Sequence, residues 1–246
     1  MLAGLLVTGA LCAAGILWMA PESLPPERSE GRPAVQAASP EVPPDPLPMD
    51  APPPAAARPF VDAAGAGALA YAAGNHQGAL TEFEAAVATN PQDAESHSNL
   101  GQTLVRLGRP SESLPHFDRA IALIPSRWAY HFNRARALGL LERWDEAVAG
   151  YQQAQRLFPD DYATAFNLAR ALHLEGDEAA AVVAYQRAIA LNPTDPSFHM
   201  ALGISYERLD RRSEAAAAYT EALRLAPDAP DADRVRVRIS QLTAPS

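Results

Sequence analysis

The amino-acid sequence predicts an all-α fold, a solenoid of five helix-turn-helix repeats followed by a C-terminal capping helix. Three observations carry that expectation. Prolines return every 34 residues, at Pro91, Pro125, Pro159, Pro193 and Pro227. Eight positions before each stands an aromatic ring (Phe83, Phe117, Tyr151, Tyr185, Tyr219), and five before it an alanine (Ala86, Ala120, Ala154, Ala188, Ala222). Two further ranks of small residues keep the same step, at Ala79, Ser113, Ala147, Ala181 and Ala215 and at Gly67, Gly101, Ala135, Ala169 and Gly203. A fixed period of this length marks a repeat array, in which each unit buries its apolar face only against its neighbours.

Inside each unit the apolar spacing reads as two amphipathic helices joined by a short turn. Small residues let the two helices approach closely. The rings, with Leu100, Leu104, Leu138, Leu168, Leu172 and Leu202, fill the contact between them. Proline ends the second helix because it cannot donate the next hydrogen bond and disfavours helical geometry in the residue before it. From roughly Phe60 to Ala229 these residues resemble the tetratricopeptide repeat (TPR) family. The resemblance implies a right-handed superhelix of repeats at 60–93, 94–127, 128–161, 162–195 and 196–229.

Taken in order, the chain begins with Met1 to Ala20, a run without one charged side chain. About 20 helical residues cross a bilayer core of roughly 30 Å. A cleavable signal peptide is the competing reading, but the basic start is missing and Trp18 and Ala20 make a poor cleavage site. Gly9-Ala10-Leu11 before Cys12 does not match a lipoprotein site, and Trp18 suits an interfacial belt. Residues 1–20 are therefore expected to be a membrane anchor. Arg28 and Arg32 after the run, interleaved with acids, give little orientation signal. Resemblance to bacterial envelope proteins with one N-terminal anchor and a proline-rich spacer places the array outside the cytoplasm, with the cytoplasmic side as the alternative.

Thirteen of the 23 prolines fall between Pro21 and Pro59, where few large apolar side chains occur. Such a stretch cannot repay the entropy of ordering, so residues 21–59 are expected to form a disordered spacer, with a reach on the order of 100 Å as polyproline. No arginine-flanked PxxP ligand stands out in it.

The repeats are unequal. In the first, Ala63, Ala66 and Ala70 replace bulkier side chains, so it is expected to fray first. In the second, Pro110 suits a helix start, while Pro115 a turn later is expected to bend or delay that helix. After Pro227, Val235, Ile239 and Leu242 share one helical face, and residues 230–246 are expected to hold the capping helix.

Composition and motifs exclude several function classes. The formal net charge of −9 opposes nonspecific nucleic-acid binding, and all twenty basic residues are arginine. The single cysteine leaves no disulfide framework or thiol metal site. His97, His131 and His199 form a rank, but successive repeats stand too far apart for their imidazoles to converge on a metal. They are expected to be packing residues with a satisfied ring nitrogen. Trp128 and Trp144 read as packing. Asp145, Glu146, Asp160 and Asp161 read as caps and solvated charge. With no nucleophile motif, phosphate loop or paired catalytic carboxylates, neither catalysis nor a cofactor is expected.

Function is then expected on the concave side, lined by the first helix of each repeat. There Asn99, Asn133 and Asn167 form one rank, Phe132 and Phe166 the rank before it, and Gln102, Arg136 and Arg170 another. The asparagines resemble the ladder that the tetratricopeptide superhelix of O-GlcNAc transferases uses against extended peptides, since an amide can both donate to and accept from a peptide bond. A bland reading, in which they only tie neighbouring helices together, stands beside it. Phe132 and Phe166 are expected to offer apolar pockets. Arg136 and Arg170, with His173, Arg106 and Arg208 nearby, are expected to meet carboxylates, which points to an acidic or C-terminal segment as ligand. The carboxylate clamp of heat-shock co-chaperones fits less well, because its basic positions fall here on Ala163 and Asn167.

The function expected is a membrane-tethered protein-protein interaction module. The alternatives are a scaffold subunit of an envelope complex, or a non-catalytic accessory presenting substrate to a separate enzyme in cytochrome c maturation or glycan transfer.

Overall fold

Eleven α-helices and short turns make up residues 62–244, the part of the chain that the computed structural model describes, and no strand occurs among them. The expected anchor at 1–20 and the spacer at 21–59 lie outside the described residues. Among the described residues no helix is long and apolar enough to cross a membrane.

The helices alternate as pairs: α1 (Ala63–Ala72) with α2 (His76–Thr89), α3 (Ala94–Arg106) with α4 (Pro110–Leu123), α5 (Trp128–Leu140) with α6 (Trp144–Leu157), α7 (Tyr162–Glu175) with α8 (Glu178–Leu191), and α9 (Pro196–Arg208) with α10 (Arg212–Leu225). A final helix, α11 (Ala232–Thr243), packs on α10.

Local chemistry sets the boundaries. Asp62, Asn75, Asp93, Asp161, Asp177 and Asp195 each cap a helix start by accepting a backbone N–H in its first turn. Where arginine occupies the cap position before α4, α6 and α10, it pairs with a glutamate three residues on: Arg109 with Glu112, Arg143 with Glu146 and Arg211 with Glu214. The turn between paired helices places one residue in the left-handed region each time, at Gly74 (φ 75°), Gly108 (74°), Glu142 (58°), Gly176 (102°) and Asp210 (56°). This is a sixth rank at the 34-residue step. Glycine adopts that conformation freely, whereas Glu142 and Asp210 hold it against the steric preference of an L side chain.

Between repeats, four of the five prolines that end second helices offer their carbonyls to a side chain. His97 and Arg119 reach Pro91 O, His131 reaches Pro125 O (2.9 Å), Arg187 reaches Pro159 O (2.8 Å) and Arg236 reaches Pro227 O (2.9 Å). The expectation of satisfied histidines holds at His97 and His131. It does not hold at His199, whose buried Nε2 has no hydrogen-bond partner. Pro115 does not delay its helix: α4 starts at Pro110 and continues through Pro115. Proline removes the N–H that would reach the carbonyl four residues back, here Ser111 in the first turn of the helix, so little of the helical ladder is lost.

The small-residue ranks are the points of closest approach. Ala79, Ala120, Ala135, Ala147, Ala154, Ala169, Ala181, Ala188 and Ala215 are all fully buried. A Cβ added at Gly203 would fall 2.4 Å from the Tyr219 ring, so that contact exists only because the side chain is absent. At the C-terminal end Val235 is buried on α11, and Arg238 pairs with Glu207 of α9. The Arg238 guanidinium holds the Glu207 carboxyl below the usual carboxylate range.

Successive first helices touch one another (α1 with α3, α3 with α5, α5 with α7, α7 with α9), whereas no second helix touches the next second helix. A stack in which one layer stays in contact while the other splays apart is curved, with the touching layer inside. The first helices therefore line the concave face.

Candidate functional site

Three consecutive inner helices, α3, α5 and α7, carry the three asparagines one turn after their starts. Their environments differ. Asn99 is half-buried, with Gln102 Nε2 at 3.5 Å from its Oδ1, and both line an open pocket of about 110 Å³ together with Ala68, Tyr71 and Phe83. Asn167 donates from Nδ2 to the carbonyl of Ala163 on its own helix (2.8 Å). Asn133 is 2% exposed, and its Oδ1 has no hydrogen-bond partner. A buried amide oxygen without a donor is costly, but at this burial Asn133 is closed off from a ligand, and Asn99 is the member of the rank that opens onto the concave face.

Phe132 and Phe166, expected to offer apolar pockets, are placed elsewhere. They are 5% and 9% exposed, and their rings fill helix contacts: Phe132 edge-on to Tyr151 (5.5 Å between centroids), Phe166 tilted on Tyr185 (5.7 Å) and stacked on Phe198 (4.7 Å). Each residue step turns a helix by about 100°, so the rank just before the asparagines faces into the stack. Trp128 also packs, stacked on Phe158.

The cations divide into two sets. Arg106 donates to the Tyr71 hydroxyl (3.2 Å). His173 and Arg208 both engage Glu178: His173 Nδ1 lies 2.9 Å from one carboxylate oxygen and Arg208 donates to the other at 2.8 Å. Glu178 is only 8% exposed, and this network ties α7, α8 and α9 together. The two side chains expected beside a ligand are thus joined to a carboxylate of the protein itself.

Arg136 and Arg170 form the other set, one turn nearer the helix starts. Both are half-buried on the inner helices. Arg170 makes no hydrogen bond or ion pair among the described residues, and its field reaches two buried tyrosines. Burial pushes the Tyr151 hydroxyl up to about 12, opposed by Arg170 and then Arg136. Burial pushes Tyr185 up as well, opposed by Arg170 and reinforced by Glu178. Both phenols stay neutral at neutral pH, so neither supplies Arg170 with a counter-charge. That combination suits a carboxylate.

Sequence reasoning passed over two residues on this face. Leu140 and Leu174, one turn beyond Arg136 and Arg170, are 57% and 47% exposed. They share a rank with Arg106 and Arg208, and that mixture of leucine and arginine at one repeat position was the available signal. No group of three or more metal-binding side chains occurs among the described residues.

Family comparison agrees with this architecture. Tetratricopeptide repeat models match residues 65–127, 99–161 and 196–229, and a TPR repeat model matches 169–210. Among solved structures, MamA from Desulfovibrio magneticus RS-1 is similar at 20% identity with a TM-score of 0.63, over 67% of this chain and 93% of that one. YrrB, described as a TPR protein with an unusual peptide-binding site, is similar at 19% identity and a TM-score of 0.63, over 70% and 88%. TTC0263, a thermophilic TPR protein of Thermus thermophilus, shares 28% identity at a TM-score of 0.52, over 72% and 94%. No curated protein matches the chain. The 34-residue ranks, the paired helices with their touching inner layer and the matched models together make the chain a member of the tetratricopeptide repeat family, a protein-protein interaction module.

Proposed function

We propose that the concave face binds an extended polypeptide segment, with a carboxylate of that segment held at Arg170 and its backbone at Asn99 and Gln102. The observation that carries this reading is Arg170, a half-buried guanidinium with no ion pair or hydrogen bond among the described residues, set near two protonated tyrosines. Burying a cation without a partner is unfavourable, and an acidic or C-terminal residue supplies that partner. Gln102 and Asn99 extend the polar surface toward the second repeat.

The proposal extends to the whole chain. Residues 1–20 tether the array to a membrane on the extracytoplasmic side, and residues 21–59 are a disordered spacer that lets it sweep the zone above. Tethering raises the local concentration of array and ligand, so modest groove affinity suffices for capture. The chain has no catalytic role.

Photo-crosslinking in cells tests the groove, with the probe placed in turn at Gln102 on the inner face and at Val183, which is 66% exposed on α8. The expected result is a polypeptide captured from Gln102 and lost in Arg170→Ala and Asn99→Ala variants that retain the wild-type melting temperature. Capture from Val183 alone would overturn the groove reading in favour of a scaffold that binds through its outer layer.

A further inference from the structure

The two exposed leucines give the groove a composite character. Arg136 and Leu140 lie four residues apart on α5, and Arg170 and Leu174 lie four apart on α7, so each inner helix presents a guanidinium and, one turn on, an apolar side chain on the same face. The two helices touch. The same pair is thus offered twice, at the spacing of neighbouring inner helices, about 8–10 Å for helices in contact. In the flanking repeats the leucine position is taken by Arg106 and Arg208, each engaged with a side chain of the protein. The apolar stretch is therefore two residues long, and both members are open to solvent.

We propose, resting on the groove reading above, that Leu140 and Leu174 are specificity-determining residues, and that the ligand is an extended segment with two large apolar side chains three residues apart, each accompanied by an acidic residue. The spacing selects the ligand's geometry. A polyproline II segment rises about 3.1 Å per residue and completes a turn in three, so side chains at i and i+3 point the same way about 9 Å apart. A β-strand places same-face side chains at i and i+2, about 6.6–6.8 Å apart, which falls short of the interaxial step of two packed helices. Charge sets the orientation. Beyond Leu174 the surface opens into a hollow of about 380 Å³ lined by Trp144, Leu174, Glu142, Asp145, Glu146, Glu175 and Arg143, the last tied to Glu146. Its carboxylates repel an acidic side chain, while Arg136 and Arg170 attract one, so the ligand's acids face the arginine side of the leucine pair.

The test uses the full chain and fluorescence anisotropy with labelled twelve-residue probes. One carries leucine and glutamate at every third position in a proline background. The second has the same composition with leucines two residues apart, and the third has lysine in place of glutamate. The first probe is expected to bind at least about tenfold more tightly than either control, and Leu140→Ser and Leu174→Ser to weaken it by about fivefold to tenfold each. Both leucines are exposed, so these variants are expected to keep the wild-type melting temperature. Equal affinity for the first two probes, or binding unchanged in both serine variants, overturns the inference. Binding that still depends on Arg170 and Asn99 in that case leaves the groove reading standing. Indifference of every probe to Arg170→Ala sinks that reading as well.

Discussion

The first and fourth helix pairs are built to one 34-residue plan and differ in almost everything the plan does not specify. Helix α7 buries eight residues, including Thr164, Phe166, Asn167, Leu168 and Leu172, whereas α1 buries only Gly67. Part of the difference is side-chain size, since α1 is made largely of alanine and glycine. The rest is position: α7 has an inner neighbour on each side, α5 and α9, while α1 has only α3. A repeat's stability is the sum of its own contacts and those with its neighbours, so an end repeat of small residues is weak twice over. Arg136 and Arg170 sit where the stack is well packed, and Leu69, 65% exposed on α1, sits where it is loose. The groove residues argued to bind ligand are thus held on rigid helices.

The strongest way to break this comparison is to truncate one large apolar side chain in each region. Phe166→Ala removes a ring packed against Tyr185 and Phe198 and is expected to cost about 3–5 kcal/mol in urea unfolding, while Leu69→Ala changes stability by under about 0.5 kcal/mol. Similar losses at both sites would show that the first pair is as well anchored as the fourth.

The helix caps sharpen the same contrast at smaller scale. Asp161 is 6% exposed and accepts from both the backbone N–H (2.7 Å) and the hydroxyl of Thr164, whereas Asp62 is exposed and accepts one N–H, from Gly65. Replacing Asp161 by alanine is expected to cost about 1–2 kcal/mol, against about 0.5 kcal/mol for Asp62. Thermal unfolding of the two variants side by side measures the difference.

The smallest effect lies in the turns. Gly176 serves the fourth pair at φ 102°, while the third pair holds Glu142 at φ 58°. Glu142→Gly is expected to stabilise by about 0.5–1 kcal/mol, read as a rise in melting temperature, because relief of left-handed strain exceeds the extra entropy of glycine in the unfolded chain. A loss of stability would mean that the Glu142 side chain contributes more than its backbone costs.

Much of the fold was legible because repetition multiplies weak signals. One proline or one alanine means little, but five at a constant step define paired helices and their contacts. The left-handed turn rank was equally periodic and went unread, since glutamate and aspartate replace glycine in two of its five members. The site was less legible. Phe132 and Phe166 occupy the rank next to the asparagines, and assigning them to the groove required knowing how the neighbouring helix packs. His173 and Arg208 look available along the chain, yet Glu178, contributed by a third helix, engages both. Leu140 and Leu174 carry no motif; exposure alone distinguishes them.

By itself the sequence determined the unit: the 34-residue period, helices started by Asp and Asn caps, ended at proline, and brought close by alanine and glycine. These are local properties, written in residue type and spacing within a few turns. Only the tertiary structure decided which ranks are buried, which cations are already paired and which face is concave. Those depend on the angle at which one repeat settles on the next, set by contacts between residues some 34 positions apart in the sequence.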